Sequence, residues 1–188
     1  MKRVLLFLLL AIVVFLGYAA TRPPTFHVER SASIAAPPDT VYAHVVSFQG
    51  WHAWSPWEKL DPTMKLEAAG EDGSVGSSSS WSGNDKVGAG KMTLTGVEPP
   101  SRVSMRLDFL KPFESTSTAT FTLAPDASGT HVTWAMDGPM NYMSKVMCIF
   151  VNMDKMVGGD FEKGLASLKQ VSEAAAAAAT APATPAAP

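Results

Sequence analysis

A long stretch near the C-terminus, from Met143 to about Val171, constrains the fold of this chain more than any other part of the sequence. Its apolar residues recur at steps of three and four positions, the spacing of one face of an α-helix. The residues on this face are Met143, Val146, Met147, Phe150, Met153, Val157, Phe161, Leu165 and Leu168. Gly158-Gly159 interrupts the run without changing its phase, so the pattern predicts one helix kinked at the glycines. Such a helix would be about 45 Å long, and only a broad partner could cover its apolar face.

The segment between Phe26 and Met136 has the features of that partner, because it consists of short apolar stretches separated by turns. In most of these stretches apolar and polar residues alternate, which is typical of half-buried strands. The pattern predicts seven strands, and their short connections predict an antiparallel sheet. Pro37-Pro38-Asp39 predicts the start of a short helix after the first strand. The predicted fold class is therefore α+β, with two short helices after strand 1 and the long C-terminal helix covering the sheet.

The N-terminus looks separate from this fold. Lys2-Arg3 precede an uncharged run, Val4–Ala20, which is long enough for a short membrane-spanning helix. Gly17-Tyr18-Ala19 also resembles the cleavage site of a signal peptide, so a secreted or periplasmic form is the alternative. We favour an uncleaved single-pass anchor, because the run is longer than most signal-peptide cores and Tyr18 suits a membrane interface. Both interpretations place the domain on the extracytoplasmic side, since positive charge stays inside.

Three regions follow from these patterns: residues 1–25 as anchor and linker, 26–173 as the folded domain, and 174–188 as a tail. The tail contains only Ala, Thr and Pro. Its alanines could extend the last helix by a turn or two, and we expect the rest to be disordered.

The most unusual segment is Trp51-His52-Ala53-Trp54-Ser55-Pro56-Trp57, which holds three of the five tryptophans. Its tryptophans could form a plug that closes one end of the core or an aromatic wall of a ligand pocket. Methionines on the predicted inner face leave the same two alternatives open, because their flexible side chains suit both a core and an adaptable cavity. If a cavity lies between sheet and helix, its predicted border is Trp54, Trp57, Trp81, Met105, Phe109, Trp134, Met147 and Phe150.

The sequence contains no pattern that identifies a reaction. The net charge of −2 and the lack of a basic cluster give no indication of nucleic-acid binding. Cys148 is the only cysteine, which excludes an intramolecular disulfide and a CxxC motif. The four histidines lack metal-ligand spacing, and Gly88-Ala89-Gly90-Lys91 lacks the flanking residues of a phosphate-binding loop. We therefore expect no cofactor, no metal and no catalytic residue set.

Several local segments match a known pattern in the predicted order of elements. They are Trp54-Ser55-Pro56-Trp57, Trp81-Ser82-Gly83-Asn84, Gly88-Ala89-Gly90, Gly129-Thr130 with Val132-Thr133-Trp134, and Gly164-Leu165-Ala166-Ser167-Leu168-Lys169. Over residues 26–170 the chain resembles the START-like or SRPBCC superfamily, in particular the membrane-anchored bacterial type of its polyketide cyclase/dehydrase and lipid-transport branch. The resemblance implies a helix-grip fold, a curved sheet wrapped around the terminal helix, with a cavity that receives an apolar or aromatic molecule. It implies no catalytic residues, because the superfamily has no single catalytic set.

Three functions remain open at this point. The favoured one is a membrane-tethered binding domain for a lipid or other hydrophobic small molecule, because the sequence combines an anchor with a Met-rich and aromatic interior. The second is a polyketide cyclase/dehydratase-like enzyme, supported by polar groups near the predicted pocket: His52, Tyr42 and Arg30. The third is a protein-interaction or chaperone-assisting module, which a cavity too small for a ligand would favour. The expected partners are the hydrophobic molecule and the membrane, with no prediction of oligomeric state.

Overall fold

In the computed structural model, which describes residues 1–150 and 152–180, seven strands form one antiparallel sheet in the order β1-β7-β6-β5-β4-β3-β2. The strands are β1 (Thr25–Ile34), β2 (Lys65–Ala69), β3 (Ser78–Ser82), β4 (Ala89–Glu98), β5 (Arg102–Lys111), β6 (Ser115–Asp126) and β7 (Gly129–Pro139). Each strand from β2 to β6 pairs with the next one along the chain, and β1 pairs with β7 at the far edge. The prediction of a seven-stranded antiparallel sheet is confirmed.

Strand alternation divides the sheet into two faces. On β7 the buried Trp134 pairs with Phe121 of β6 on one side and Arg30 of β1 on the other. Because side chains on paired positions point to the same face, these residues share the inner side of the sheet. The threonines of β6 alternate with the buried residues and lie on the outer side: Thr118, Thr120 and Thr122. The inner side therefore carries the core.

Five helices complete the described chain: α1 (Lys2–Ala20), α2 (Pro38–Val46), α3 (Phe48–Trp51), α4 (Tyr142–Phe150) and α5 (Met153–Thr180). Pro38 and Asp39 lie in the first turn of α2, as their preferences predict. The four-residue α3 is held by its neighbours, because Ser47 Oγ accepts from the Gly50 N–H (2.9 Å) and Asp72 Oδ1 accepts from the Phe48 N–H (2.7 Å). The architecture is α+β and of the helix-grip kind.

The prediction of one C-terminal helix kinked at its glycines is wrong. The chain forms two helices that separate between Phe150 and Met153, whereas α5 passes through Gly158 and Gly159 without a break. Asn152 Oδ1 accepts from the Lys155 N–H (3.0 Å) and so caps the first turn of α5. The cap satisfies an N–H group that has no partner inside the helix, and the apolar spacing alone did not reveal it.

The middle of α5 covers the inner face of the sheet with Phe161, Leu165 and Leu168, which are all buried. Further towards its start, the Arg30 side chain connects β1 to α5. Arg30 Nε donates to Glu162 Oε1 (2.7 Å) and Nη1 donates to Asp154 Oδ1 (2.9 Å). The guanidinium occupies the space beside Gly158, where a Cβ atom would overlap it. The glycine in the middle of α5 therefore serves a close approach rather than a kink.

At its far end α5 continues to Thr180, an extension past Glu173 by about the turn or two that the alanines made possible. The alanines of residues 174–179 account for this, because alanine has the highest helix propensity. The rest of the predicted tail, residues 181–188, lies outside the described residues. At the other end, α1 is long and apolar enough to cross a membrane, and only Ala19 of it is buried. A signal sequence has the same features, so the choice of an uncleaved anchor stays a prediction.

Candidate ligand-binding cavity

A cavity of about 380 Å³ lies between the inner face of the sheet and the first half of α5. Side chains from β2 to β7 form one wall, and Met156, Val157, Asp160 and Phe161 of α5 form the opposite one. The segment that follows α2 closes one end. The apolar residues on the sheet wall are Leu66, Trp81, Met92, Met105, Leu107, Phe109, Ala119, Trp134 and Met136.

One end of the cavity is an aromatic cluster centred on Trp134. The Trp134 ring stacks with Phe161 of α5 (centroids 4.0 Å apart) and with Phe121 of β6 (4.7 Å). Trp54 and Trp57 approach it edge-on, each with its centroid 5.6 Å away. Trp54 is completely buried, and its Nε1–H donates to the His44 carbonyl (3.1 Å). The two interpretations of the tryptophan-rich segment thus apply to different residues, because Trp54 belongs to the core and Trp57 lines the cavity.

The opposite part of the cavity is built around Trp81 of β3. Its ring lies over Gly90 of β4, where a Cβ atom would overlap it, and meets Phe109 edge-on with centroids 5.7 Å apart. Its Nε1–H donates to the Val87 carbonyl (3.0 Å), which fixes the orientation of the indole. The pairing of β4 and β5 is irregular between Ala89 and Gly90. A glycine at this irregularity gives the large ring room to lie flat on the sheet.

The structure brings together most of the side chains predicted to border a cavity, namely Trp57, Trp81, Met105, Phe109 and Trp134. Trp54 lies behind them in the core. Met147 and Phe150 lie on α4 and are absent from the lining, because α4 ends before α5 begins and the helical wall of the cavity belongs to α5. The sequence analysis overlooked Met156, Val157 and Phe161 as wall residues. The helical spacing had placed Val157 and Phe161 on the apolar face, so the signal was present for these two, whereas Met156 lies outside that face.

Polar and charged residues also border the cavity, namely His52, Ser55, Glu58, Ser79, Asp85, Lys86, Lys111 and Asp160. His52 and Glu58 both line it, and His52 Nδ1 is 2.9 Å from Glu58 Oε1. Tyr42 and Arg30, the other polar groups proposed from the sequence, do not line it. Hydrogen bonds to Asp154 and Glu162 raise the pKa of Arg30. The guanidinium of Arg30 is therefore paired with two carboxylates of α5.

Two further polar features bear on the site. The Trp134 Nε1–H is buried and has no hydrogen-bond partner among residues 1–150 and 152–180.

Asp61 holds the β3–β4 loop in place, and residues 85–88 of this loop line the cavity. The Asp61 carboxylate accepts from the Asn84 N–H (2.7 Å) and from the Thr63 hydroxyl (2.7 Å). The Thr63 hydroxyl and the Asn84 N–H lower the pKa of Asp61. Within the same described ranges, no group of three His, Cys, Asp or Glu side chains is arranged to hold a metal ion.

Comparison with known families gives a match over most of the chain. The family model described as polyketide cyclase / dehydrase and lipid transport matches residues 25–173. Among curated protein sequences, none matches the chain.

Solved structures show the same fold at low sequence identity. An uncharacterised protein from Rhizobium leguminosarum has 13% identity and a TM-score of 0.59, covering 80% of this chain and 95% of its own. A protein from Mesorhizobium loti has 23% identity and a TM-score of 0.54, covering 78% and 95%. The di-domain ARO/CYC protein StfQ from the steffimycin biosynthetic pathway has 10% identity and a TM-score of 0.59, covering 81% and 52%. At these identities the likeness concerns the fold alone.

Proposed function

Since the chain belongs to the polyketide cyclase/dehydrase and lipid transport family of the SRPBCC superfamily, we propose that it binds a hydrophobic small molecule between its sheet and α5. The observation that carries this proposal is the cavity of about 380 Å³ with its predominantly apolar and aromatic lining. Small-molecule sites in proteins typically measure about 300–1,000 Å³ and combine an apolar wall with a few polar groups. A cavity of this size favours ligand binding over the protein-interaction function.

The lining suggests which chemical class of ligand fits. Trp57, Trp81 and Phe109 offer flat surfaces to an aromatic or polycyclic molecule, and Met92 and Met156 offer flexible ones to an acyl chain. We expect a mainly apolar molecule of one of these two classes.

The proposal includes a membrane tether. α1 is uncharged from Val4 to Ala20, and its large apolar side chains are exposed. Placing these side chains in lipid would remove them from water, and it would keep the domain where hydrophobic molecules concentrate. A tethered carrier or sensor of a membrane-soluble molecule is the function that these features support together.

Native mass spectrometry of the full chain, extracted gently from its own membrane, tests ligand binding directly. We expect one small molecule bound to the wild type and lost from Met92→Trp, because the indole would fill part of the cavity. The control is Lys91→Trp, which adds the same ring one residue earlier on the exposed face of β4 and should keep the ligand. Identical occupancy of the two variants, or an empty wild type, would remove the basis of the proposal.

A second candidate is a cyclase- or dehydratase-like enzyme, favoured by the His52–Glu58 pair at the cavity wall. A histidine held by a carboxylate can transfer a proton to or from a bound substrate. Replacing His52 by glutamine would then change the chemical identity of the co-purified molecule, because substrate instead of product would remain bound. If the same molecule co-purifies with the variant and with the wild type, the enzymatic candidate is refuted and only the binding function is supported.

A further inference from the structure

Helix α4 exposes its apolar side. Met143, Met147 and Phe150 are 63%, 43% and 76% exposed and lie at positions i, i+4 and i+7, so they form one stripe. Ser144 and Lys145 are half-buried against the rest of the molecule, as are Val146, Cys148 and Ile149. A surface helix in water would instead expose its polar side chains. The stripe therefore requires a partner that is itself apolar.

The position of α4 against α1 indicates which partner this is. The Tyr142 hydroxyl, at the start of α4, donates to the Leu16 carbonyl (2.9 Å). The Phe150 ring, at the end of α4, lies 5.7 Å from the Phe15 ring between centroids. The two ends of α4, about 12 Å apart, thus contact two consecutive residues of α1, Phe15 and Leu16. It follows that α4 crosses α1 instead of running beside it.

The crossing point lies close to one end of the apolar run. Leu16 is four residues before Ala20, the last residue of α1, which corresponds to about 6 Å along the helix axis. Amphipathic helices at a membrane surface bury their apolar side by about 5–10 Å. If α1 spans the bilayer, α4 is at the right depth and in the right orientation to lie in the membrane interface. It carries no acidic residue that anionic lipids would repel.

We propose that α4 is an interfacial helix whose Met143–Met147–Phe150 stripe inserts into the surface of the lipid bilayer. This inference rests on the proposed tether and adds the orientation of the domain to it. Because α5 begins three residues after α4 ends, and its residues Met156 and Val157 line the cavity, this wall is held beside the bilayer. A hydrophobic ligand would then have a short path between membrane and cavity.

Spin labelling of the full chain in vesicles of phosphatidylethanolamine and phosphatidylglycerol tests the insertion. Single cysteines are introduced at Met143, Met147 and Lys145 in a Cys148→Ser background, and collisions with oxygen and with a water-soluble nickel chelate are compared. We expect labels at Met143 and Met147 to collide more with oxygen than with nickel, because oxygen concentrates in lipid. The label at Lys145, which faces the rest of the molecule, should collide less with oxygen than either. Phe150→Cys replaces either stripe variant if that variant does not fold.

A label at Val13 separates the inference from the tether on which it rests. Oxygen-dominated collisions at Val13, together with nickel-dominated collisions at Met143 and Met147, would overturn the interfacial helix and leave the tether intact. Nickel-dominated collisions at Val13 itself would overturn both. Equal depth at Met147 and Lys145 would also overturn the proposal, since only one side of α4 can face lipid.

Discussion

Replacing Gly164 by alanine should destabilise the domain, although alanine is the better residue inside a helix. A Cβ atom here would lie 2.8 Å from Trp134 Cζ3 and 3.3 Å from Pro56 Cδ. Trp134 has little room to move, because it is only 2% exposed and stacks with both Phe121 and Phe161. Helix propensity would contribute about 1 kcal/mol in favour of alanine, whereas overpacking costs about 1–3 kcal/mol. The expected net loss is roughly 1 kcal/mol.

Gly159→Ala provides a matched control in the same helix. No atom lies within 4 Å of the Cβ position at Gly159, so this variant should gain about 0.5–1 kcal/mol from helix propensity alone. Helix propensity contributes equally to both variants, so it cancels in the difference between their free energies of unfolding. The remaining difference, about 1–3 kcal/mol, measures the overpacking of a methyl group at position 164 against Trp134.

Urea unfolding in mild detergent measures both variants. All five tryptophans lie between Trp51 and Trp134, so fluorescence reports on the domain and not on α1. The slope of the free energy of unfolding against urea should stay the same while the midpoint moves down for Gly164→Ala and up for Gly159→Ala. Equal midpoints for the two variants would refute the close contact between α5 and the aromatic cluster.

Three further predictions concern the cavity, its loop and the N-terminus. Gly90→Ala should displace the Trp81 ring and reduce ligand occupancy in native mass spectrometry, and unchanged occupancy would show that this wall is unimportant. The lowered pKa of Asp61 means that its stabilising contribution is complete above its ordinary pKa of 3.8 and disappears as the pH falls through the lower folded value. Asp61→Asn should therefore make the free energy of unfolding less dependent on pH in that acidic range, and a profile as steep as that of the wild type would contradict this role. N-terminal sequencing of the mature protein should find the Val4–Ala20 segment still present, whereas a start at Ala20 or Thr21 would indicate a cleaved signal peptide.

The sheet and the buried half of α5 could be predicted from the sequence because their signals are local. The alternating sequence of β5 places Met105, Leu107 and Phe109 on one face of the strand. Helical spacing likewise places Phe161 and Leu165 on one face of the terminal helix. Such periodicity follows directly from the geometry of a strand or a helix, so it does not depend on the rest of the chain. The Asn152 cap was also a local signal, but the continuous apolar spacing concealed it.

The sequence by itself determined the α+β class, the antiparallel sheet and the presence of a terminal helix with one apolar face. Only the tertiary structure decided how that apolar face is divided, since Phe161 covers the sheet whereas Met147 and Phe150 face outwards beside α1. It also decided that Trp54 is buried in the core while Trp57 lines the cavity, although both belong to the same short segment. The physical reason is that both outcomes depend on contacts between distant segments, such as the stack of Trp134 on Phe161. Local spacing shows which side chains can share a face, and the packing of remote elements decides what that face meets.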